Sequence, residues 1–149
     1  MKKIIIATAL VAAMGIASAL EVGVSEVRDY HLHANGSRIS LATSAIGSLT
    51  PQVSITHVSK QFNQYAIGAD YVVTKFGPVA LAVTAAGVFQ DTTPGAKRSD
   101  GYALSYGAKA TVELAKNVSV VAGVERLSTQ HRISAFAGNS AVVGVQVKL

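Results

Sequence analysis

Residues 102–114 read YALSYGAKATVEL, and two kinds of side chain alternate along this stretch, each recurring at every second position. One set is tyrosine, leucine, alanine and valine; the other is small, apart from Lys109 and Glu113. A period of two is that of a β-strand, whose successive side chains point to opposite faces. The stretch therefore predicts a strand with one apolar, uncharged face and one face of small and ionised residues.

The same alternation recurs from residue 20 to residue 149, interrupted by turn-forming clusters at regular spacing. We predict eight strands, at residues 20–30, 37–45, 53–61, 64–75, 79–90, 100–114, 117–129 and 139–149. Short and longer connections largely alternate, as in an antiparallel barrel whose strands run up and down with both termini at one end. The predicted fold is all-β, an eight-stranded up-and-down transmembrane barrel.

Composition narrows the class of protein. The 149 residues are 50% hydrophobic and 14% charged, with no Cys. These values exclude a disordered chain, a disulfide scaffold and a cysteine metal site. A formal net charge of +5 is too mild to indicate nucleic-acid binding, and two of the lysines lie in a segment predicted to be removed.

The first 19 residues have the pattern of an export signal. Lys2 and Lys3 precede an apolar stretch, which ends in the small-residue pattern Ala17-Ser18-Ala19. We predict a signal peptide at residues 1–19, cleaved before Leu20, and a barrel at residues 20–149. Beyond residue 19 no apolar run is long enough for a helical span.

The distribution of charge decides between lipid and water as the surroundings of the barrel. From the fourth strand on, the bulky apolar parity carries no charge over residues 65–73, 79–89, 102–114, 118–124 and 141–149, whereas a soluble exterior needs many lysines and glutamates. A basic residue facing lipid near the midplane costs about 2–4 kcal/mol. We therefore predict that the bulky set, including Leu104, Val120 and Val145, faces lipid. The alternative is a soluble periplasmic barrel that binds an apolar ligand, with the faces reversed.

The first three strands fit this pattern less well. Glu26, Arg28 and His57 share parity with the lipid-facing residues. We predict either a β-bulge in this region or an early rise of the strands above the membrane.

In its signal segment, its eight alternating strands and its last strand, the chain resembles the small barrels of the outer membrane protein A-like and opacity-protein group of Gram-negative bacteria. The ending AVVGVQVKL, residues 141–149, is similar to the assembly signal of that group, although Leu149 stands where phenylalanine is usual. The resemblance implies export to the bacterial outer membrane. It also implies recognition of the C-terminal strand by the barrel-assembly machinery.

Inward charges form the first candidate site. Seven ionised side chains share the inward parity: Glu21, Arg38, Asp70, Lys109, Glu113, Glu125 and Lys148. An unpaired charge in a narrow lumen is costly, so we expect a network that closes the interior, with a narrow ion pathway as the alternative. Lys109 with Glu125, and Lys148 with Glu21 or Glu113, are the expected pairs.

The first outer loop is the second candidate. His31, His33 and Ser37 supply the residue types of an acyl-transfer or metal site, and residues 35 and 36 form an Asn-Gly turn signal. Residue types without geometry are weak evidence, and two histidines do not make a metal site. We therefore expect no enzyme, no cofactor and no metal, and keep a lipid-modifying enzyme as the alternative.

Basic residues near the predicted outer ends of the strands form the third candidate, a rim that would face lipopolysaccharide phosphates. Its members are Lys60, Lys97, Arg98, Arg126 and Arg132. The predicted function is that of a non-enzymatic, monomeric outer-membrane barrel. Its narrow lumen is largely plugged, and its loops contact lipopolysaccharide or external partners.

Overall fold

Eight antiparallel strands close into one barrel in the computed structural model, which describes residues 20–31, 33–43, 46–58, 62–92, 101–128 and 138–149. Each strand pairs with its neighbours in chain order, and β1 closes on β8. The strands are β1 Leu20–Asp29, β2 Ala34–Thr43, β3 Leu49–Val58, β4 Phe62–Phe76, β5 Val79–Thr92, β6 Gly101–Ala115, β7 Val118–Leu127 and β8 Gly138–Lys148. The predicted number, order and closure are confirmed. The predicted signal peptide lies outside the described residues.

The barrel has two ends. The connections β2–β3, β4–β5 and β6–β7 lie at the same end as Leu20 and Leu149, and we call this the terminal end. The other four connections define the loop end. No helix in the described ranges is long and apolar enough to cross a membrane.

The connection between β1 and β2 is shorter than predicted. Asn35 and Gly36, expected to form a turn, pair with Arg28 and Val27 inside the β1–β2 ladder. The pairing continues to the end of β1 because each added residue extends the ladder, which outweighs the local turn preference. His33, in the short connection, has a positive φ of 53°.

β3 begins at Leu49, four residues before the predicted start, and so contains Pro51. Pro51 pairs with Ala69 of β4, whereas the β2–β3 register ends at Ala42 and Gln52. Proline lacks an N–H, so it is tolerated here because it has no partner in β2.

Of the two alternatives predicted for the first strands, the β-bulge is wrong. The β1–β2 register runs unbroken from Leu20↔Thr43 to Asp29↔Ala34. Register shifts occur instead in β4 between Val72 and Thr74, and in β6 between Glu113 and Ala115.

The two faces of the barrel are arranged as the periodicity predicts. Leu104 and Val145 are 52% and 45% exposed on the outer wall, whereas Asp70 is 3% exposed and points inward. The outer wall is therefore bulky and largely apolar, and the ionised side chains of the lumen lie in its middle and toward the terminal end. The alternative of a soluble barrel with an apolar ligand cavity required the reverse arrangement and is wrong.

Candidate functional site: the lumen and the outer wall

An ion pair crosses the lumen between β2 and β7, two strands that are not neighbours in the barrel. Arg38 donates from Nη1 to Glu125 Oε1 at 2.6 Å and from Nη2 to Oε2 at 2.8 Å. Its Nε donates to Thr56 Oγ1 on β3 at 2.8 Å. The side chains of Arg38 and Glu125 are only 14% and 19% exposed. This fork geometry is the strong form of an arginine–carboxylate pair and joins opposite sides of the wall.

A second ion pair joins Lys109 of β6 to Asp70 of β4, across the intervening β5. The amide of Gln52 donates to the other oxygen of Asp70 at 2.6 Å. Asp70 thus accepts bonds from two strands, which satisfies a carboxylate that is almost fully buried.

The expected pairing of Lys109 with Glu125 is wrong. The register places Lys109 opposite Gly123 and Glu125 opposite Gly107, so the two side chains are diagonal neighbours on adjacent strands. Glu125 instead pairs with the Arg38 guanidinium, and Lys109 pairs with Asp70. Ion pairs across a closed lumen therefore cannot be predicted from which strands are neighbours in the sheet.

The other three predicted lumen charges lie at the terminal end. Glu21 and Lys148 are register partners on β1 and β8, but no ion pair joins them, and none involves Glu113 in the described part of the chain. Glu113 and Lys148 are exposed. All three line a cavity of about 570 Å³ that also reaches Asp70 and Lys109.

The middle of the lumen has much less free space. A cavity of about 50 Å³ remains there, and it is lined by Arg38, Gln52, Lys109 and Glu125 among others. The interior therefore narrows from an open vestibule at the terminal end to a constriction at the two ion pairs.

The loop half of the lumen is a packed apolar core, which sequence reasoning missed. Its buried inward side chains include Val27, Val58, Val88, Ala103 and Val142, each 6% exposed or less. Gln90, also fully buried, accepts a bond from Gln64 at 3.2 Å, and its own Nε2 has no partner among the described residues. The available signal was the appearance of valine at inward positions toward the loop ends of β1, β3, β5 and β8.

Within the described residues of the first outer loop and β2, no hydrogen bond joins Ser37 to His31 or His33. The His31 backbone N–H donates to Asp29 Oδ1 at 2.9 Å, which caps the turn. Ser37 lies on the outer face of β2, with His57 of β3 as its register partner. No group of three or more possible metal ligands occurs in the described ranges.

Of the predicted basic rim, Arg126 is described; it is exposed on β7, opposite Tyr106. Lys60, Lys97, Arg98 and Arg132 lie outside the described residues.

The outer wall carries a band of polar side chains toward the loop end, which runs from β7 through β8 and β1 to β4, and we call it the polar wall patch. Its members are Glu26, Arg28, Asn35, Ser37, His57, Asn63, Arg126 and Asn139. His57 Nδ1 and Asn63 Oδ1 lie 2.7 Å apart. The outward charges that the sequence could not reconcile with lipid thus lie together on the wall, without a bulge to turn them inward.

Aromatic rings occupy the corresponding part of β4, β5 and β6. The ring centres of Tyr65 and Phe89 lie 6.3 Å apart, and those of Phe89 and Tyr102 lie 5.2 Å apart. The two tyrosines are amphipathic, and such rings favour the membrane–water interface.

Solved structures show what this architecture is similar to. The N-terminal β-barrel domain of Pseudomonas aeruginosa OprF matches with a TM-score of 0.71 at 16% identity, over 89% of this chain and 98% of that one. The fold is that of the small outer-membrane β-barrels. The Yersinia pestis outer membrane protein Ail in a nanodisc gives 0.60 at 11% identity, over 88% of this chain and 99% of that one.

A de novo designed transmembrane β-barrel gives a TM-score of 0.68 at 13% identity, over 89% of this chain and 97% of that one. No protein-family model matches the sequence, and no curated protein matches it significantly. The likeness is one of fold. At that level, the predicted resemblance to small outer-membrane barrels is confirmed.

Proposed function

We propose that this outer-membrane barrel is a non-enzymatic structural and surface-interaction protein with a largely plugged lumen. The observation that carries the proposal is the combination of an apolar outer wall with ionised side chains paired across the interior. Such a barrel is built to sit in lipid and to resist the passage of solutes.

The plug has two layers. The pairs Arg38–Glu125 and Lys109–Asp70 hold the middle of the lumen, where about 50 Å³ is free. The valines of the loop half then fill the remaining section. Eight strands enclose an interior just wide enough for side chains to fill. The vestibule at the terminal end therefore ends blindly at the ion pairs.

Orientation and partners complete the proposal. After removal of the signal peptide, the terminal end faces the periplasm and the loop end faces outward. Leu149 and the alternating valines of β8 offer the assembly machinery an apolar edge, and the barrel remains a monomer. The rim residues Arg126, Lys60, Lys97, Arg98 and Arg132 would contact lipopolysaccharide, whose phosphates attract basic side chains.

Lipid ester hydrolysis is the rival activity, and Ser37 is its only credible nucleophile among the three loop candidates. Ser37 lies beside His57, yet no hydrogen bond joins them in the described part of the chain. Both side chains are exposed on a flat strand face. A hydroxyl without an engaged base is not an activated nucleophile.

The deciding experiment is membrane fractionation of cells that express the full chain, combined with gel mobility before and after heating. We expect the protein in the outer-membrane fraction, extracted only by detergent, with a mobility that changes on boiling. A protein released without detergent would overturn the proposal. A lipase assay on the wild type and on His33→Ala tests the non-enzymatic part, which activity in the wild type would refute.

A further inference from the structure

We propose that the polar wall patch binds the phosphorylated saccharide head of an outer-leaflet lipid, with Arg28 and Arg126 as its phosphate ligands. The inference rests on the proposed function, because it requires the loop end to lie in the outer leaflet. It goes further by moving the main lipopolysaccharide contact from the loops to the barrel wall, on β1, β2, β7 and β8.

The first observation is the depth of the patch. Register partners on successive strands form a row of outward side chains around the wall. One such row begins at Val24 in the middle of β1, includes Tyr65 on β4, and ends at Tyr102, next to the loop end of β6. Because strands in such barrels tilt by about 35–45°, this row climbs toward the loop end. Glu26 and Arg28 lie two and four residues beyond Val24 on β1, toward the loop end. Their height on the wall is therefore below that of the loop ends of β5 and β6. Polar side chains at this level need polar partners.

The second observation is the spacing of the two arginines. Arg28 pairs with Ala141, and Arg126 pairs with Asn139, so the arginines flank β8 one pleat apart. Two strand spacings and one pleat place their Cα atoms roughly 12 Å apart. Arginine side chains are long enough to converge from this distance on one disaccharide-sized head. Neither arginine has an ion-pair partner within the described ranges.

The third observation is the chemistry around them. Asn35, Ser37 and Asn139 are exposed and supply amide and hydroxyl groups that suit saccharide hydroxyls. The Glu26 carboxylate would accept hydrogen bonds from such hydroxyls as well. Because a carboxylate repels a free phosphate ion, its presence favours a sugar phosphate as the ligand. Val24, one pleat below Glu26 on β1, and Val143, the register partner of Glu26 on β8, continue the apolar wall, against which acyl chains of the same lipid would pack.

Charge selects this occupant over a second copy of the barrel. On β1, β2, β7 and β8, the patch contains two permanently positive guanidiniums against one carboxylate. A two-fold interface would bring the same positive surface of two copies together, which is unfavourable in a medium of low dielectric constant. An anionic amphiphile meets both the positive patch and the apolar wall beneath it.

The test measures binding of purified lipopolysaccharide to the full mature barrel in nanodiscs of zwitterionic phospholipid. The variant is Arg28→Gln/Arg126→Gln. Its control is Lys75→Gln/Lys116→Gln, which removes the same charge from exposed positions at the terminal end. We expect about tenfold weaker binding for each arginine lost and wild-type binding for the control. Dephosphorylated lipopolysaccharide should bind the wild type and the arginine variant equally.

Several results would overturn the inference. Wild-type affinity in the arginine variant would locate the contact elsewhere, while leaving the proposed function standing. An equal loss in the control would reduce the effect to net charge, and a change of oligomeric state in the arginine variant would indicate a second copy. If the glutamine variant fails to show heat-modifiable mobility, Arg28→Lys/Arg126→Lys replaces it. Lysine keeps the charge but cannot form the two parallel hydrogen bonds of a guanidinium with a phosphate. Weaker binding by the lysine variant therefore supports arginines as the phosphate ligands, and unchanged binding contradicts that assignment.

Discussion

The ion pair between Arg38 and Glu125 offers the sharpest test of how the lumen is held. Both side chains are less than one-fifth exposed, and the contact is bidentate. Removing one partner leaves the other as an uncompensated charge in a narrow interior, which costs about 3–5 kcal/mol. Replacing both by apolar residues of similar size removes that charge. We therefore expect Arg38→Met and Glu125→Leu each to be strongly destabilising, and the double variant to recover most of the loss.

The free energy of unfolding is to be measured in detergent micelles by urea titration. Circular dichroism is the suitable probe because the chain has no Trp. Glu113→Leu is the matched control, since its carboxylate is exposed at the terminal end; a change within about 0.5 kcal/mol is expected there. Single variants that lose less than about 1 kcal/mol would mean that the pair behaves as a solvent-screened one. A double variant as destabilised as the sum of both singles would show that the two charges are not coupled.

Three further outcomes test the wall, the packing and the chemistry. Val83→Arg, on the apolar wall, should cost about 2–4 kcal/mol of folding free energy in vesicles, as expected near the bilayer midplane. Leu114→Arg, at the terminal end, should cost about 0–1 kcal/mol, as expected near the interface. Equal costs would contradict this difference in membrane depth. Gly107→Ala should lower the midpoint of urea unfolding, because its Cβ would collide with the Val124 backbone carbonyl. Gly87→Ala is the control and should leave the midpoint unchanged, because the nearest atom to its Cβ would be 3.9 Å away. A fluorophosphonate probe should label wild type and Ser37→Ala equally poorly; labelling that Ser37→Ala abolishes would establish a nucleophile and refute the non-enzymatic assignment.

The lumen combines two kinds of filling that have different consequences. The valines of the loop half are held by burial alone and tolerate exchange for residues of similar volume. The ion pairs in the middle require both partners at defined positions, so they specify register as well as stability. A one-residue slip of β2 would turn Arg38 toward lipid and separate it from Glu125.

Local pattern was sufficient for the architecture. The alternation in residues 102–114 and its repeats predicted the strands, the closure and the apolar wall, because side-chain direction in a strand depends only on position parity. Strand ends were less predictable. Asn35-Gly36 has the local preference of a turn, yet it lies in β2, because pairing with β1 continues past it.

The sequence by itself determined which residues face lipid and which face inward. Only the tertiary structure decided which inward charges meet, since Arg38 and Glu125 are 87 positions apart and lie on strands that are not neighbours. It also decided that Glu26, Arg28 and Arg126 share one side of the wall. Parity is a property of a single strand, whereas contacts across the lumen and around the wall depend on closure and stagger, which fix the height and direction of every strand together.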